Sequence, residues 1–500
     1  MPTPSCNEHS RKRFLTALRD ETFDVLILGG GINGAGTLRD LALRAKVAGT
    51  PLKLALVEKN HFASGTSGKN SQLIHGGLRY LEYFEFSLVR EALRERATLL
   101  EIAPHLVEPQ ALLLPTYGWF DTILYQTGLW MYDWFAGARN IERHRNVPLK
   151  RLVELLPGIE TKGLTAAARF YDARSHSARL VLENIFEAAG NGAVAANYCE
   201  AVSKEKEGDA WRVRLRDSLT GDSFETRARQ LVDATGAWST ESHPRLVRGS
   251  HLILPQLFPG EEAISYFDTQ GRIIFFIPWG THRNLTLVGT TDADHTAGAD
   301  KVAISDDETR YLLSIVARVF PKHSRVTPIA TYASLRPLLP SGGSATSASR
   351  EHRIWRAEDG IVHISGGKYT TYRSMSEEAS DLIAGRAAPA LSEVHVTAST
   401  PVAGNSQDAV RAMLARHPRA MVNHYGVLSA EFERTISPEV LPGLDAFESA
   451  QFRWARRHEL AQKLSDFLYV STYLGYERPW AAETLAALEA EFRKPVPTAG

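Results

Sequence analysis

The stretch Phe23–Gly36, FDVLILGGGINGAG, constrains this chain more than any other. An apolar, β-favouring run from Val25 to Leu28 stops at three consecutive glycines, and a helix-compatible stretch follows directly. Gly29, Gly31 and Gly34 stand in a G-x-G-x-x-G frame. Such a strand–turn–helix lets the backbone approach a pyrophosphate, whose charge the helix N-terminus stabilises. The apolar spacing of Leu38, Leu41, Ala42 and Ala45 predicts a helix over Asn33–Lys46, broken by Gly49, Thr50 and Pro51. A second strand, Leu52–Val57, then ends at Glu58. An acid at that point accepts hydrogen bonds from ribose hydroxyls. The unit predicts a dinucleotide site and leaves NAD and FAD equally open.

A chain of 500 residues exceeds one compact core, so two or three domains are expected. The formal net charge is zero, and nothing global argues for nucleic acid. The two cysteines, Cys6 and Cys199, fit neither zinc-ligand spacing nor a disulfide framework, so no metal site is predicted. Sparse cysteine fits a reducing, cytoplasmic setting. Residues 1–22 are polar and basic, with Arg11-Lys12-Arg13 and no apolar core, and read as a leader, frayed or folded into a short docking helix. No apolar run reaches the roughly 18 residues that a membrane-spanning helix needs. Peripheral attachment, at the inner face of the cell membrane, stays open.

Further motifs follow in order. Ser64–Ser71, SGTSGKNS, can line a cofactor with hydroxyls and backbone N–H groups, Thr66, Ser67 and Ser71 among them. Leu73–Glu82, LIHGGLRYLE, packs His75, Gly76, Gly77, Arg79 and Tyr80 together. Ser87–Ala103 reads as an amphipathic helix. Leu112–Phe135 is crowded with Trp, Tyr and Phe, and reads either as a buried inter-domain helix or as an interfacial patch. A helix over Ser177–Ala189 precedes a small meander near 193–197, 211–216 and 223–227. Gln230–Val232 returns as a short strand into DATGAW, with Thr235 and Gly236 at a second point of backbone approach. Residues 245–340 read as antiparallel β with a helix over Asp306–Phe320. They carry His251, Thr290-Thr291-Asp292 and Arg336. Ser341–Ser349 is a small-residue loop before Arg350. The strand Ile361–Ser365 ends in GGKYTTYR, a second glycine turn holding Gly367, Lys368 and Thr370. After a linker over Leu391–Pro401 the chain reads as helical.

Taken in order, GGGINGAG, LIHGGLRYLE, GSHLIL, VGTTD, LRPL and GGKYTTYR resemble the FAD-dependent glycerol-3-phosphate dehydrogenases and oxidases, within the D-amino-acid-oxidase-like flavoproteins. The resemblance implies an α/β fold: a glutathione-reductase-like FAD-binding Rossmann domain, an inserted antiparallel β substrate domain and a C-terminal helical domain. The implied organisation is a leader over 1–22, an oxidoreductase region over 23–390 and a helical domain over 391–500. FAD-binding segments fall near 23–110, 178–240 and 350–388, and substrate-domain segments near 111–177 and 245–349. FAD is implied at Gly29, Gly31, Gly34, Glu58, Thr66, Ser67, Ser71, Gly76, Thr235, Gly236, Gly367, Lys368 and Thr370. The implied reaction is oxidation of sn-glycerol 3-phosphate to dihydroxyacetone phosphate, with electrons passed to a quinone at a membrane surface. A homodimer is compatible with it.

The residue chemistry fits such a substrate. A guanidinium binds a phosphomonoester bidentately, and Arg336 and Arg350 are the candidates. Tyr80 and Lys368 can hydrogen-bond the substrate oxygens. His251 is the first choice for proton acceptor, because an unshifted imidazole titrates near working pH, and His75 is the second. The chain departs from the family pattern at Gln72, where Lys is usual, and at His176-Ser177, where an acid is usual. It also departs at Arg350 in SREH and near Tyr469–Thr472, where the usual Arg-Arg-Thr is absent. Two other functions remain expected alternatives: an oxidase of another small hydroxy or amino acid that uses oxygen, and a flavoprotein without catalysis.

Overall fold

The computed structural model describes residues 8–81, 84–340 and 350–495. Cys6, Glu82 and the Ser341–Ser349 loop lie outside the described residues.

The chain opens with helix α1 (Glu8–Asp20) and strand β1 (Thr22–Leu28), and the glycine turn leads into α2 (Ile32–Ala48). Strands β2 (Leu54–Val57) and β3 (Leu73–Ile74), helix α3 (Phe86–Ile102), strand β4 (Val107–Tyr117) and helix α4 (Trp119–Ala136) follow. Next come β5 (Arg145–Asn146), α5 (Leu149–Leu155), β6 (Leu164–Ser175), α6 (Ser177–Gly190), β7 (Val194–Ala196), β8 (Cys199–Glu207), β9 (Ala210–Asp217) and β10 (Ser223–Asp233). The second half holds β11 (Arg245–Pro255), β12 (Ala263–Phe267), β13 (Ile273–Trp279), β14 (Leu285–Gly289) and β15 (Ala293–Asp294). It continues through α7 (Asp306–Val319), β16 (Ala330–Leu338), β17 (His352–Arg356), β18 (Val362–Gly366) and α8 (Tyr372–Ala387), and short helices complete the chain.

One sheet runs β17-β18-β10-β1-β2-β7, with β9 and β8 added beside β10. Its centre is parallel: β1 lies between β2 and β10, and β10 pairs β18. Strand β1 is buried on both faces, and its side chains alternate between two cores. Val25 and Ile27 pack with Leu38 and Leu41 of α2, and with residues of α6 and α8. Leu26 and Leu28 pack with Leu15 and Leu18 of α1 and with Val213 and Leu215 of β9. The polar leader is therefore not frayed from Glu8 onward. Its helix covers one face of the sheet, and buried Arg11 reaches Asp217 at 3.0 Å. The strands read separately at 223–227 and 230–232 are one strand, β10. Its start pairs antiparallel with β9 and its end runs parallel to β1.

The second sheet follows the order β15-β11-β14-β13-β12-β4-β6-β3, with β16 beside β11 and β5 beside β6. It is antiparallel except where β12 runs parallel to β4. Helix α7 covers it, started by a capping box in which Ser305 and Glu308 satisfy each other's backbone N–H groups.

The aromatic stretch Leu112–Phe135 is not one helix. Its first six residues finish β4, and α4 starts at Trp119 after Gly118. Nor is α4 a buried inter-domain helix. Trp119, Phe120, Trp130 and Trp134 are each more than 60% exposed, while Leu129, Tyr132 and Ala136 face inward. The C-terminal helices have small cores of their own, yet Tyr473 and Tyr476 join the main core beside Trp279 and Tyr332.

Helix α2 is tied to α8 by a buried cation. Arg44 donates to Asp40 at 2.6 Å, to Asp381 at 2.5 Å and to the Glu377 carbonyl at 3.1 Å. Asp40 stays in the core when the cation is removed, which costs about 3–5 kcal/mol. Arg44→Ala is accordingly expected to lower the urea midpoint of unfolding markedly. An unchanged midpoint contradicts this account.

Candidate functional site

The carboxyl ends of β1, β10 and β18 converge, where an open α/β sheet binds its ligands. Leu28 lies opposite both Val57 and Asp233, and Asp233 lies opposite His363. Here the glycine turn crosses the DATGAW turn. Gly29 has φ +110°, and a Cβ on it would meet the Ala234 carbonyl oxygen at 2.5 Å. The DATGAW turn is held by Asp233, which accepts from the Thr235 N–H at 3.0 Å and from the Ser239 hydroxyl at 2.7 Å. Burial pushes the Asp233 carboxyl up, but hydrogen bonds from His363, Thr235 and Ser239 outweigh it and hold the pKa at about 2. Glu58 accepts from the Gly30 N–H at 2.7 Å and from the Asn60 N–H at 2.9 Å, and burial raises its pKa. The Ser67 hydroxyl accepts from the Ile32 N–H at 2.9 Å, at the start of α2.

A cavity opens here, with an empty volume of about 2190 Å³ including open solvent. Gly29, Gly31, Glu58, Thr66, Ser67, Ser71, Thr235, Gly236, Gly367, Lys368 and Thr370 line it. So do His75, Tyr80, His251, Arg336 and Arg350. Gly34 and Gly76 do not. Gly34 sits in the first turn of α2 against the Gly29 carbonyl, and a Cβ there would meet that oxygen at 2.0 Å. Gly76 is turned away from the cavity, and its N–H donates to the Tyr132 hydroxyl at 2.8 Å. Each shapes the cavity from behind.

Part of its wall is cationic. Register places Arg336 of β16 opposite Val247 of β11, and His251 opposite Tyr332. Arg336 donates to the Asp292 carboxylate at 3.1 Å and to the Thr291 carbonyl at 2.9 Å. Arg350 donates to the same Asp292 oxygen at 3.1 Å. Asp292 had no assigned role in the sequence reading. The charge balance of a TTD acid against two nearby arginines was the signal that could have given it one. Lys368, in the turn between β18 and α8, donates to the His75 carbonyl at 3.1 Å and lies 4.6 Å from the Tyr80 ring centroid. Burial brings its pKa down to about 7, with Arg350 adding to the fall.

His251 is not an unshifted imidazole. Burial, and then Arg336, lower its pKa to about 3, while its Nε2 shares a hydrogen bond of 2.8 Å with the Ser71 hydroxyl. His75 is driven well below the ordinary imidazole value by burial and by Lys368. His251 therefore lacks the unshifted pKa on which its choice as proton acceptor rests. The same burial brings Lys368 down toward neutrality.

The departure at Gln72 has a local explanation. Its amide donates to the Tyr473 hydroxyl at 3.1 Å and accepts from the Ser177 N–H at 2.8 Å, joining the C-terminal helices to the start of α6. His176 caps α6 by accepting from the Arg179 N–H.

The family described as FAD dependent oxidoreductase matches residues 24–373. The chain belongs to this family. Its cofactor is FAD, and the residues present fit it: a glycine cradle that a Cβ would fill opens into the cavity, with Glu58 bonded to the Gly30 N–H of the cradle. The chain is 34% identical to a glycerol-3-phosphate dehydrogenase of Mycobacterium leprae, over 95% of this chain and 85% of that protein. It is 33% identical to a D-erythritol 1-phosphate dehydrogenase of Brucella abortus, over 90% of this chain and 94% of that protein. It shares its fold with the FAD complex of a Bacillus halodurans glycerol-3-phosphate dehydrogenase, at a TM-score of 0.73, 24% identity and 98% coverage of both chains. This family member is an enzyme of the flavin-dependent dehydrogenase kind.

Because Gly29 is in backbone contact with the Ala234 turn, Gly29→Val is expected to purify without flavin. The ratio of 450 nm to 280 nm absorbance checks this, and a wild-type ratio in the variant refutes it.

Proposed function

We propose that this flavoenzyme oxidises sn-glycerol 3-phosphate to dihydroxyacetone phosphate and passes the electrons to a quinone. The observation that carries the reading is the pair of arginines, Arg336 and Arg350, hinged on one Asp292 oxygen in the cationic part of the cofactor cavity wall. A phosphomonoester carries nearly two negative charges, and two planar guanidinium forks suit it. The names of the Mycobacterium leprae and Brucella abortus relatives point to the same class, a phosphorylated polyol.

In this reading the backbone of Gly29–Gly31 and the start of α2 hold the FAD pyrophosphate, and Glu58 holds the ribose. Bound FAD supplies the two-electron acceptor for the hydride that leaves C2. The chain supplies everything else. Arg336 and Arg350 take the substrate phosphate and fix the C2 carbon relative to the cavity wall. Tyr80 closes one side of the pocket and can hydrogen-bond a substrate oxygen. Lys368 Nζ accepts the C2 hydroxyl proton, since an amine with a pKa of about 7 is substantially unprotonated at neutral pH. His251 stays neutral and orders the Ser71 hydroxyl.

The Brucella abortus relative favours a second reading, a four-carbon polyol phosphate oxidised by the same residues. Anaerobic titration of the yellow protein separates the two. Glycerol 3-phosphate is expected to bleach the flavin with a higher kcat/KM than D-erythritol 1-phosphate. The reverse order selects the second reading, and bleaching by neither removes both. Arg336→Ala is expected to raise KM about thirtyfold, or about 2 kcal/mol, because it deletes one arm of the phosphate fork.

The exposed aromatic face of α4 supports peripheral docking on a membrane, where a quinone acceptor resides. Trp and Phe side chains gain from burial at the headgroup boundary. Among the described residues no helix is long and apolar enough to cross a membrane. The wild-type protein is expected to float with liposomes, and a variant with Trp119, Phe120 and Trp130 changed to Ser to remain at the bottom. Equal flotation rules out this face.

A further inference from the structure

In the cavity wall itself, Asp172 belongs to a buried polar group that neither the cofactor cradle nor the phosphate fork uses. Asp172 of β6 accepts from the Arg96 guanidinium at 2.7 Å and from the Tyr132 hydroxyl at 2.6 Å. All three side chains are almost fully buried. The register of β3 with β6, Ile74 opposite Ala173, brings the His75–Gly76 turn beside Asp172. The Gly76 N–H donates to the Tyr132 hydroxyl at 2.8 Å and reaches Asp172 at 3.3 Å. The fit leaves no slack, since a Cβ on Gly76 would meet the Tyr132 oxygen at 2.4 Å. The carbonyls of this same turn receive Lys368: Nζ lies 3.1 Å from the His75 oxygen and 3.4 Å from the Gly76 oxygen.

We infer that Asp172, anchored by Arg96 and extended by Tyr132, is a positioning residue that sets the direction of the Lys368 lone pair by pinning the His75–Gly76 turn. The inference rests on the reading of Lys368 as proton acceptor. A neutral amine has two N–H donors and one lone pair. When both donors are tied to the two carbonyls, the lone pair takes the remaining tetrahedral direction, and Lys368 lines the cavity. If the turn rotates, the lone pair rotates with it. Asp172 is also the strongest of the charges that favour protonated Lys368; Glu91 and Glu85 act in the same sense, and Arg350 opposes them. The Tyr80 ring covers the amine from one side.

Stopped-flow reduction of the bound flavin by glycerol 3-phosphate, measured against pH, tests the inference in the wild type, Asp172→Asn and Tyr132→Phe. Wild type is expected to show an acidic limb, the rate falling as Lys368 becomes protonated. In Asp172→Asn the limb moves to lower pH by about one unit, because a neighbouring anion is lost, and the plateau falls about tenfold. In Tyr132→Phe the charge of Asp172 remains, so the limb stays in place and only the plateau falls, with little change in KM. A reading independent of turnover comes from competitive acylation of Lys368 followed by mass spectrometry. Its pH midpoint is expected to shift down in Asp172→Asn and to hold in Tyr132→Phe.

Wild-type plateaus and limbs in both variants, with only the thermal midpoint lowered, overturn the inference and leave Asp172 a structural ion pair. If Asp172→Asn does not fold, Tyr132→Phe decides alone, since it keeps the Arg96–Asp172 pair: a tenfold lower plateau supports the inference and an unchanged one overturns it. If wild type is reduced by substrate without an acidic limb, Lys368 is not the proton acceptor, and this inference falls while the polyol-phosphate reading stands.

Discussion

The structure depends on a crossing of backbones with no room for a side chain. Gly29 meets the Ala234 carbonyl, and Gly34 of α2 meets the carbonyl of Gly29. Strand β1, helix α2 and the end of β10 are thereby fixed to one another within a few ångströms. The strand ends and the helix start then face one opening, which becomes the mouth of the cofactor cavity. Glu58 reinforces the arrangement by accepting from the Gly30 N–H instead of pointing to solvent.

The electrostatics of the cavity divide the labour among its cations. The arginines keep their charge and lean on Asp292. Burial and neighbouring cations disfavour charge on the two histidines, and the His251 ring shares a hydrogen bond with the Ser71 hydroxyl. Lysine lies between these cases, because burial works against its charge while Asp172, Glu91 and Glu85 support it. The same burial thus silences an imidazole and brings an amine into the physiological range, since the two begin about four pH units apart.

Much of this was legible in the sequence where the signal is local. The β1–glycine–α2 unit, Glu58, the helix over 306–319 and the glycine turn before Lys368 are all set by residues within a few positions of one another. What was not legible depends on distant partners. Helix α1 looks polar in sequence although Leu15 and Leu18, with Phe14 and Ala17 beside them, face the sheet, and Arg11 reads as surface charge until Asp217 is brought to it. The aromatic stretch hid its division between β4 and α4, because Leu and Trp suit a buried strand and a helix alike. Gly118 marks the boundary, and its positive φ is visible only in three dimensions. His251 was chosen as a base from its ordinary pKa, a property that enclosure removes. Asp172 carries no local signal, since its meaning comes from Tyr132, Arg96 and Gly76.

Strand β10 begins as the third strand of a local meander and ends as the central partner of β1 and β18. Its first pairings are short-range, whereas Leu28 with Asp233 and Asp233 with His363 close loops of two hundred and of more than a hundred residues. Loop closure of that size comes late in folding. The cofactor cavity is built on these long-range pairings. Only the finished sheet can retain flavin, so the flavin acts by mass action as a selective stabiliser of the completed fold. The extra stability grows with the free flavin concentration relative to its dissociation constant.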